Sequence, residues 1–122
     1  MPAPTELEAE INARLAAGER LLASASMIGH RDEHRLWQTS REMWAQATVA
    51  RLAGHVNEQA IRTFGRAAAP PPTEGSVAED LPLELEAVRN GMAVLVGLRS
   101  AIAAQPAADR PSRERRGARL GP

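Results

Sequence analysis

Leu81, Leu85, Val88, Met92, Leu95 and Ile102 recur at intervals of four and three, broken only where Arg99 stands. That spacing keeps one face of a helix apolar for about six turns, and no strand of ordinary length can use it. Leu98 and Val96 flank the seam, which makes the stripe wider than a two-stranded coiled coil needs. A long helix therefore begins near Asp80, tolerates Pro82 in its first turn and ends before Pro106. Whatever this chain becomes, other helices must cover that stripe.

The rest of the chain supplies them. Thr5-Glu6-Leu7-Glu8 fits a capping box, where the threonine oxygen takes an orphan amide and the glutamate reaches back. Leu7, Ile11, Leu15, Gly18, Leu22 and Ala25 then fall on one side, predicting a helix over 5–25. Ser26 to Gly29 breaks the pattern. Asp32 is expected to cap a second helix, with Glu33 in its first turn and Gly54 as its stop. Its apolar arc reads Leu36, Trp37, Met43, Trp44, Ala47 and Ala50, with Val49 and Leu52 off the arc. Asn57 caps a short third helix through Ile61, Phe64 and Ala68, ended by three prolines from Pro70. Residues 70–79 have loop composition.

Composition agrees. Aromatic residues make up only 2% of the chain, whereas alanine, leucine, arginine and glutamate, all good helix formers, dominate. The expected fold is all-α: an up-and-down bundle of three long helices plus one short helix, occupying residues 1–105. The first, second and fourth helices are expected to form the main core. That core is Leu7, Ile11, Leu15, Leu22, Leu36, Trp37, Met43, Trp44, Ala47, Ile61, Phe64, Leu85, Val88, Met92, Leu95, Leu98 and Ile102. Residues 106–122 carry Arg110, Arg113, Arg115, Arg116 and Arg119 against Asp109 and Glu114, with almost no apolar side chains. They are expected to be a disordered basic tail.

Several function classes drop out. The chain has no cysteine, so no disulfide or thiolate zinc site exists. Met1-Pro2-Ala3-Pro4 runs into Glu6, Glu8 and Glu10, unlike a secretory signal. The longest apolar run, Met92 to Leu98, is far short of the roughly 20 residues that span a bilayer. A cytoplasmic protein with no membrane association is the expectation. All 15 basic residues are arginine, which together with abundant alanine suggests a bacterial, GC-rich genome.

Three candidate chemistries remain. His30-Arg31-Asp32-Glu33-His34 matches the H-x-x-E-H string of inverted zinc peptidases, but the first histidine precedes the expected helix start, so a charged helix entry accounts for it. His30, His34 and His55 offer three imidazoles that a bundle can gather around a metal ion; surface histidines are the commoner outcome. The arginine tail can grip a nucleic-acid backbone without sequence preference, yet it has no aromatic residue for stacking and the remainder of the chain is acidic. The serines lack a nucleophile setting. No catalytic residue, cofactor or metal is expected.

One larger pattern is familiar: Ile11-x6-Gly18-Glu19-x-Leu21-Leu22, then Trp37 and Trp44 with Leu52, then Ile61-x2-Phe64, and a closing helix with Leu85, Val88, Leu95, Leu98 and Ile102. Over residues 7–103 it resembles the small helical N-terminal modules that accompany bacterial TIR-like and other nucleotide-binding effector domains. Leu52-Ala53-Gly54 stands where those modules have a phenylalanine-glycine step. The resemblance implies a domain that senses or docks partners, with the effector encoded elsewhere. The leading expectation is thus a non-catalytic protein-interaction or regulatory module, open to self-association, with a metal-binding bundle and tail-mediated nucleic-acid binding as the alternatives.

Overall fold

The computed structural model describes residues 5–72 and 75–104. Four helices follow in order, α1 (Glu6–Ser24), α2 (Arg31–Leu52), α3 (Glu58–Ala68) and α4 (Val77–Ala104), with no strand among the described residues. This is the all-α bundle of three long helices and one short one. The expected tail, 106–122, lies outside the described residues.

Local chemistry sets most of the boundaries. Thr5 and Glu8 form the reciprocal capping box, both bonds at 3.1 Å. A single 3-10 turn, Ala25–Met27, then carries the chain out of α1. Asn57 caps α3 by accepting from the Ala60 amide at 2.8 Å. Gly54 follows the end of α2 with φ of 90°, a conformation that would strain any residue with a Cβ.

Two helix starts differ from expectation. α2 begins at Arg31, with His30 rather than Asp32 at the cap. The Glu33 carboxylate decides this, because it accepts from the amides of Gly29 at 2.7 Å and His30 at 3.2 Å. α4 begins three residues before Asp80, because Ser76 provides the start: its carbonyl accepts from the Asp80 amide at 2.9 Å and its hydroxyl from that of Glu79 at 3.4 Å. Pro82 consequently lies inside the helix, one turn beyond the position that tolerates it best.

α1 lies against α2 and α4, and α3 packs on the opposite side of the same two helices, while α2 and α4 touch more sparingly across the diagonal. α3 is thus a full wall of the bundle, although the other three helices were expected to supply the main core, with Ile61 and Phe64 as the contribution of α3. Phe64 is fully buried and meets Trp44 edge to face, with ring centroids 5.6 Å apart. Gly91 lets the helices close at this level: a Cβ there would stand 3.0 Å from Ala68 Cβ, 3.1 Å from Phe64 Cε1 and 3.2 Å from Trp44 Cη2.

Both tryptophans are core, as expected. Their indoles also set the register of α1 against α2. Trp37 Nε1 donates to the Leu21 carbonyl and Trp44 Nε1 to the Arg14 carbonyl, each at 2.9 Å. Two donors seven residues apart on one helix thus meet two acceptors seven residues apart on its antiparallel neighbour.

The core differs from the expected one mainly on α2. Leu36 and Met43 are 72% and 63% exposed. Leu22, Ala47, Ile61, Leu85 and Leu98 are only partly buried, whereas Leu21, Ala25, Leu52, Ala68 and Ala87 complete the interior. On α2 the cause is a rotation of the buried face, which runs His34, Trp37, Arg41, Trp44, Thr48 and Leu52. Three polar side chains occupy it.

Candidate functional site

One polar residue inside α2, His34, faces an acid inside α4. Asp80 and Glu84, one turn apart, are each 1% exposed. A carboxylate that deep needs partners for its oxygens, since burying it bare costs several kcal/mol. Glu84 has them: Oε1 lies 2.5 Å from His34 Nε2, and Oε2 accepts from Gln38 Nε2 at 2.6 Å. Asp80 Oδ2 accepts from the Gly75 amide at 2.7 Å, and the Gly75 carbonyl accepts from Arg31 Nη2 at 2.6 Å. Both backbone groups of Gly75, at φ of 94°, are therefore tied to side chains of the two diagonal helices. The connection from α3 to α4 is pinned across this end of the bundle.

His34 and Glu84 are a sealed pair. Both oxygens of the acid are committed to protein groups, and the histidine is only 4% exposed. The chemistry on offer is orientation of α2 against α4. Arg41, one turn from Gln38 and 7% exposed, buries its stem, and its Nε has no hydrogen-bond partner. Its nearest acid is Glu42, at 3.7 Å from Nη2.

The other candidate ligands do not join this pair. His30 is at the α2 cap, exposed and 3.5 Å from Glu33. His55 follows the far end of α2, about 30 Å away along a helix rising 1.5 Å per residue. The structure does not bring the three imidazoles together: α2 itself holds His55 apart from the others. Among the described residues no group of three histidine or acidic side chains is placed to hold a metal ion. Only His34 of the H-x-x-E-H string points inward.

The rotation that buries His34 and Arg41 leaves an apolar surface outside. Leu36, Ser40, Met43 and Ala47 follow one face of α2, and beside them a trough of about 460 Å³ opens between α1 and α2. Ala17, Leu21, Ser24, Ser40, Met43, Trp44 and Ala47 line it, with Arg14 and Arg20 as its ionisable residues. The small side chains make the trough shallow enough for another backbone to approach. A second hollow of about 290 Å³ between α2 and α3 is lined by Ala45, Gln46, Val49, Phe64 and Gly65, with no ionisable group.

No protein-family model, curated protein or solved structure matches this chain. The site must be read from its own geometry. No helix among the described residues is long and apolar enough to cross a membrane.

Sequence reasoning missed both halves of this arrangement for one reason. Hydropathy places Leu36 and Met43 inside and His34 and Arg41 outside. The available signal lay on α4, where Asp80 and Glu84 sit one turn apart at the head of the face that continues through Ala87, Gly91 and Leu95. Two acids at the head of a buried seam require buried donors on the facing helix.

Proposed function

We propose that this chain is a non-catalytic protein-interaction module whose docking surface is the α1/α2 face around Leu36 and Met43. The observation that carries this reading is the orientation of α2. A helix selected only for stability would turn its leucine and methionine inward and its arginine outward. Here Leu36 and Met43 stand 72% and 63% exposed while His34 and Arg41 are 4% and 7% exposed. Apolar side chains clustered on a surface mark interaction sites more often than scattered ones do. The sealed His34–Glu84 pair fits the same reading, because it holds α2 in the orientation that presents the apolar face. The resemblance to effector-associated modules supports docking as well, with the partner on a separate chain.

The test is position-specific photocrosslinking in the native host, with a photoreactive residue at position 43 and a control at the exposed position 62 of α3. The expected result is a discrete adduct from position 43 that position 62 does not give. Equal adducts from both positions, or none from position 43, would refute the reading.

A further inference from the structure

The geometry points to an acidic amphipathic helix of another protein as the occupant of the α1/α2 trough. This deepens the docking reading above and rests on it.

The electrostatics of the trough select the partner. Its ionisable lining is Arg14 and Arg20 alone. Neither is paired with a carboxylate among the described residues, although Arg51, Arg62 and Arg89 elsewhere on the surface each have one. Arg14 Nε is shielded from solvent and has no hydrogen-bond partner. An approaching carboxylate would offset the charge of the two guanidinium groups, and a charge-assisted arginine–carboxylate pair is among the stronger polar contacts an interface can make.

The shape selects a helix. The trough lies along two antiparallel helices; Met43 lines it, and Leu36 continues the same face of α2 beyond the lining, seven residues away, about 10 Å at 1.5 Å per residue. A third helix carrying apolar residues at i, i+4 and i+7 repeats that spacing. Arg14 and Arg20 are about 9 Å apart along α1 by the same rise, which matches acids two turns apart on the incoming helix.

Charge also argues against the occupants available within this chain. The segment 106–122 carries an excess of arginine and would be repelled by Arg14 and Arg20. A second copy meeting this face through a two-fold axis would bring the same two arginines toward their own images. An acidic helix on a different chain avoids both conflicts.

The experiment is a selection on the full chain from a displayed library of helices of about 16 residues, with leucines at i, i+4, i+7 and i+11 and flanks randomised among glutamate, lysine and glutamine. Enrichment of glutamate over lysine by about tenfold or more is expected, with binding that weakens in high salt. In Arg20→Glu, at an exposed position, the preference should fall toward parity, and in Arg14→Glu/Arg20→Glu it should reverse; circular dichroism checks that each variant is folded. Peptides that bind without charge preference, yet lose binding in Leu36→Ser/Met43→Ser, would overturn the acidic partner and leave the docking surface standing. No enrichment, or binding indifferent to Leu36→Ser/Met43→Ser, would overturn both. Sedimentation gives the last arm: a dimer that Met43→Ser converts to monomer assigns the trough to a second copy and overturns the proposal.

Discussion

Replacing His34 and Glu84 by leucine, singly and together, separates a buried polar clamp from a mere pair of neighbours. The two side chains are 5% and 1% exposed. In His34→Leu the Glu84 carboxylate keeps only the Gln38 amide and remains shut away from water, so the loss is about 3–5 kcal/mol. In Glu84→Leu the imidazole and the Gln38 amide both lose their acceptor, at about 1–3 kcal/mol for each buried polar group left unpaired. The double variant has no buried charge to orphan, and leucine fills a volume similar to either residue. Gln38 is only partly buried and can turn to water. Its loss is therefore about 0–2 kcal/mol, and the coupling between the sites is at least about 3 kcal/mol, the upper end for residues in contact. Urea unfolding followed through Trp37 and Trp44, both 5% exposed, reads all four proteins with one probe. In a domain whose total stability is about 5–15 kcal/mol, either single change should move the midpoint visibly. Single variants that each lose less than about 1 kcal/mol, or a double variant that loses their sum, would refute the clamp.

Two further outcomes follow from the geometry. Gly91→Ala should lose about 1–2 kcal/mol in the same unfolding assay, because overpacking against Ala68, Phe64 and Trp44 outweighs the roughly 1 kcal/mol gained in helix propensity. Gly18→Ala should be milder, since the closest atoms, Met92 Sδ at 2.8 Å and Cγ at 3.0 Å, belong to a flexible side chain; a reversed order would contradict the packing account. At the start of α2, the Gly29 amide and then the charge and amide of His30 hold the Glu33 carboxyl below its ordinary value of 4.5. A depressed acid stabilises the fold above its unfolded-state value and loses that contribution as pH falls through the folded one. The stability gap between wild type and Glu33→Gln should thus be full at neutral pH and shrink below pH 4.5, and a gap that does not change with pH would contradict the assignment.

How much of this was legible in the sequence depends on whether a segment's structure is decided locally. Thr5 with Glu8, and Asn57 with the Ala60 amide, cap helices through bonds spanning three residues, and both could be read directly. The long α4 face was legible because Val88, Met92, Leu95 and Ile102 are apolar and buried alike. The phase of α2 was not, because it is fixed by partners far along the chain: Glu84 is 50 residues from His34, and the Leu21 carbonyl is 16 from Trp37. Leu21 and Leu22 show the same problem at small scale. Adjacent leucines fit one apolar stripe about equally well, and the Trp37 bond to the Leu21 carbonyl is part of the register that buries the first more deeply than the second. The exposed apolar face of α2 was missed for the same reason, since it is the complement of a buried face that hydropathy assigned differently.

The phase of α2 also has an alternative that the sequence must disfavour. A rotation of roughly 150° about its axis would bring Leu36 and Met43 inward and carry His34, Arg41 and Thr48 to solvent. By apolar area alone that state gains, since burying a leucine or methionine is worth about 1.5–3 kcal/mol. Against it stand the two indole bonds to α1, the edge-to-face contact of Trp44 with Phe64, and the acid of Glu84, which the rotation would strand without His34 and Gln38. The tryptophans and the acid decide the contest together: each indole anchors α2 to α1 on one side, and the polar clamp anchors it to α4 on the other. A buried polar pair of this kind often adds little net stability and serves specificity instead. Here the specificity is one of orientation, and its product is the exposed apolar face.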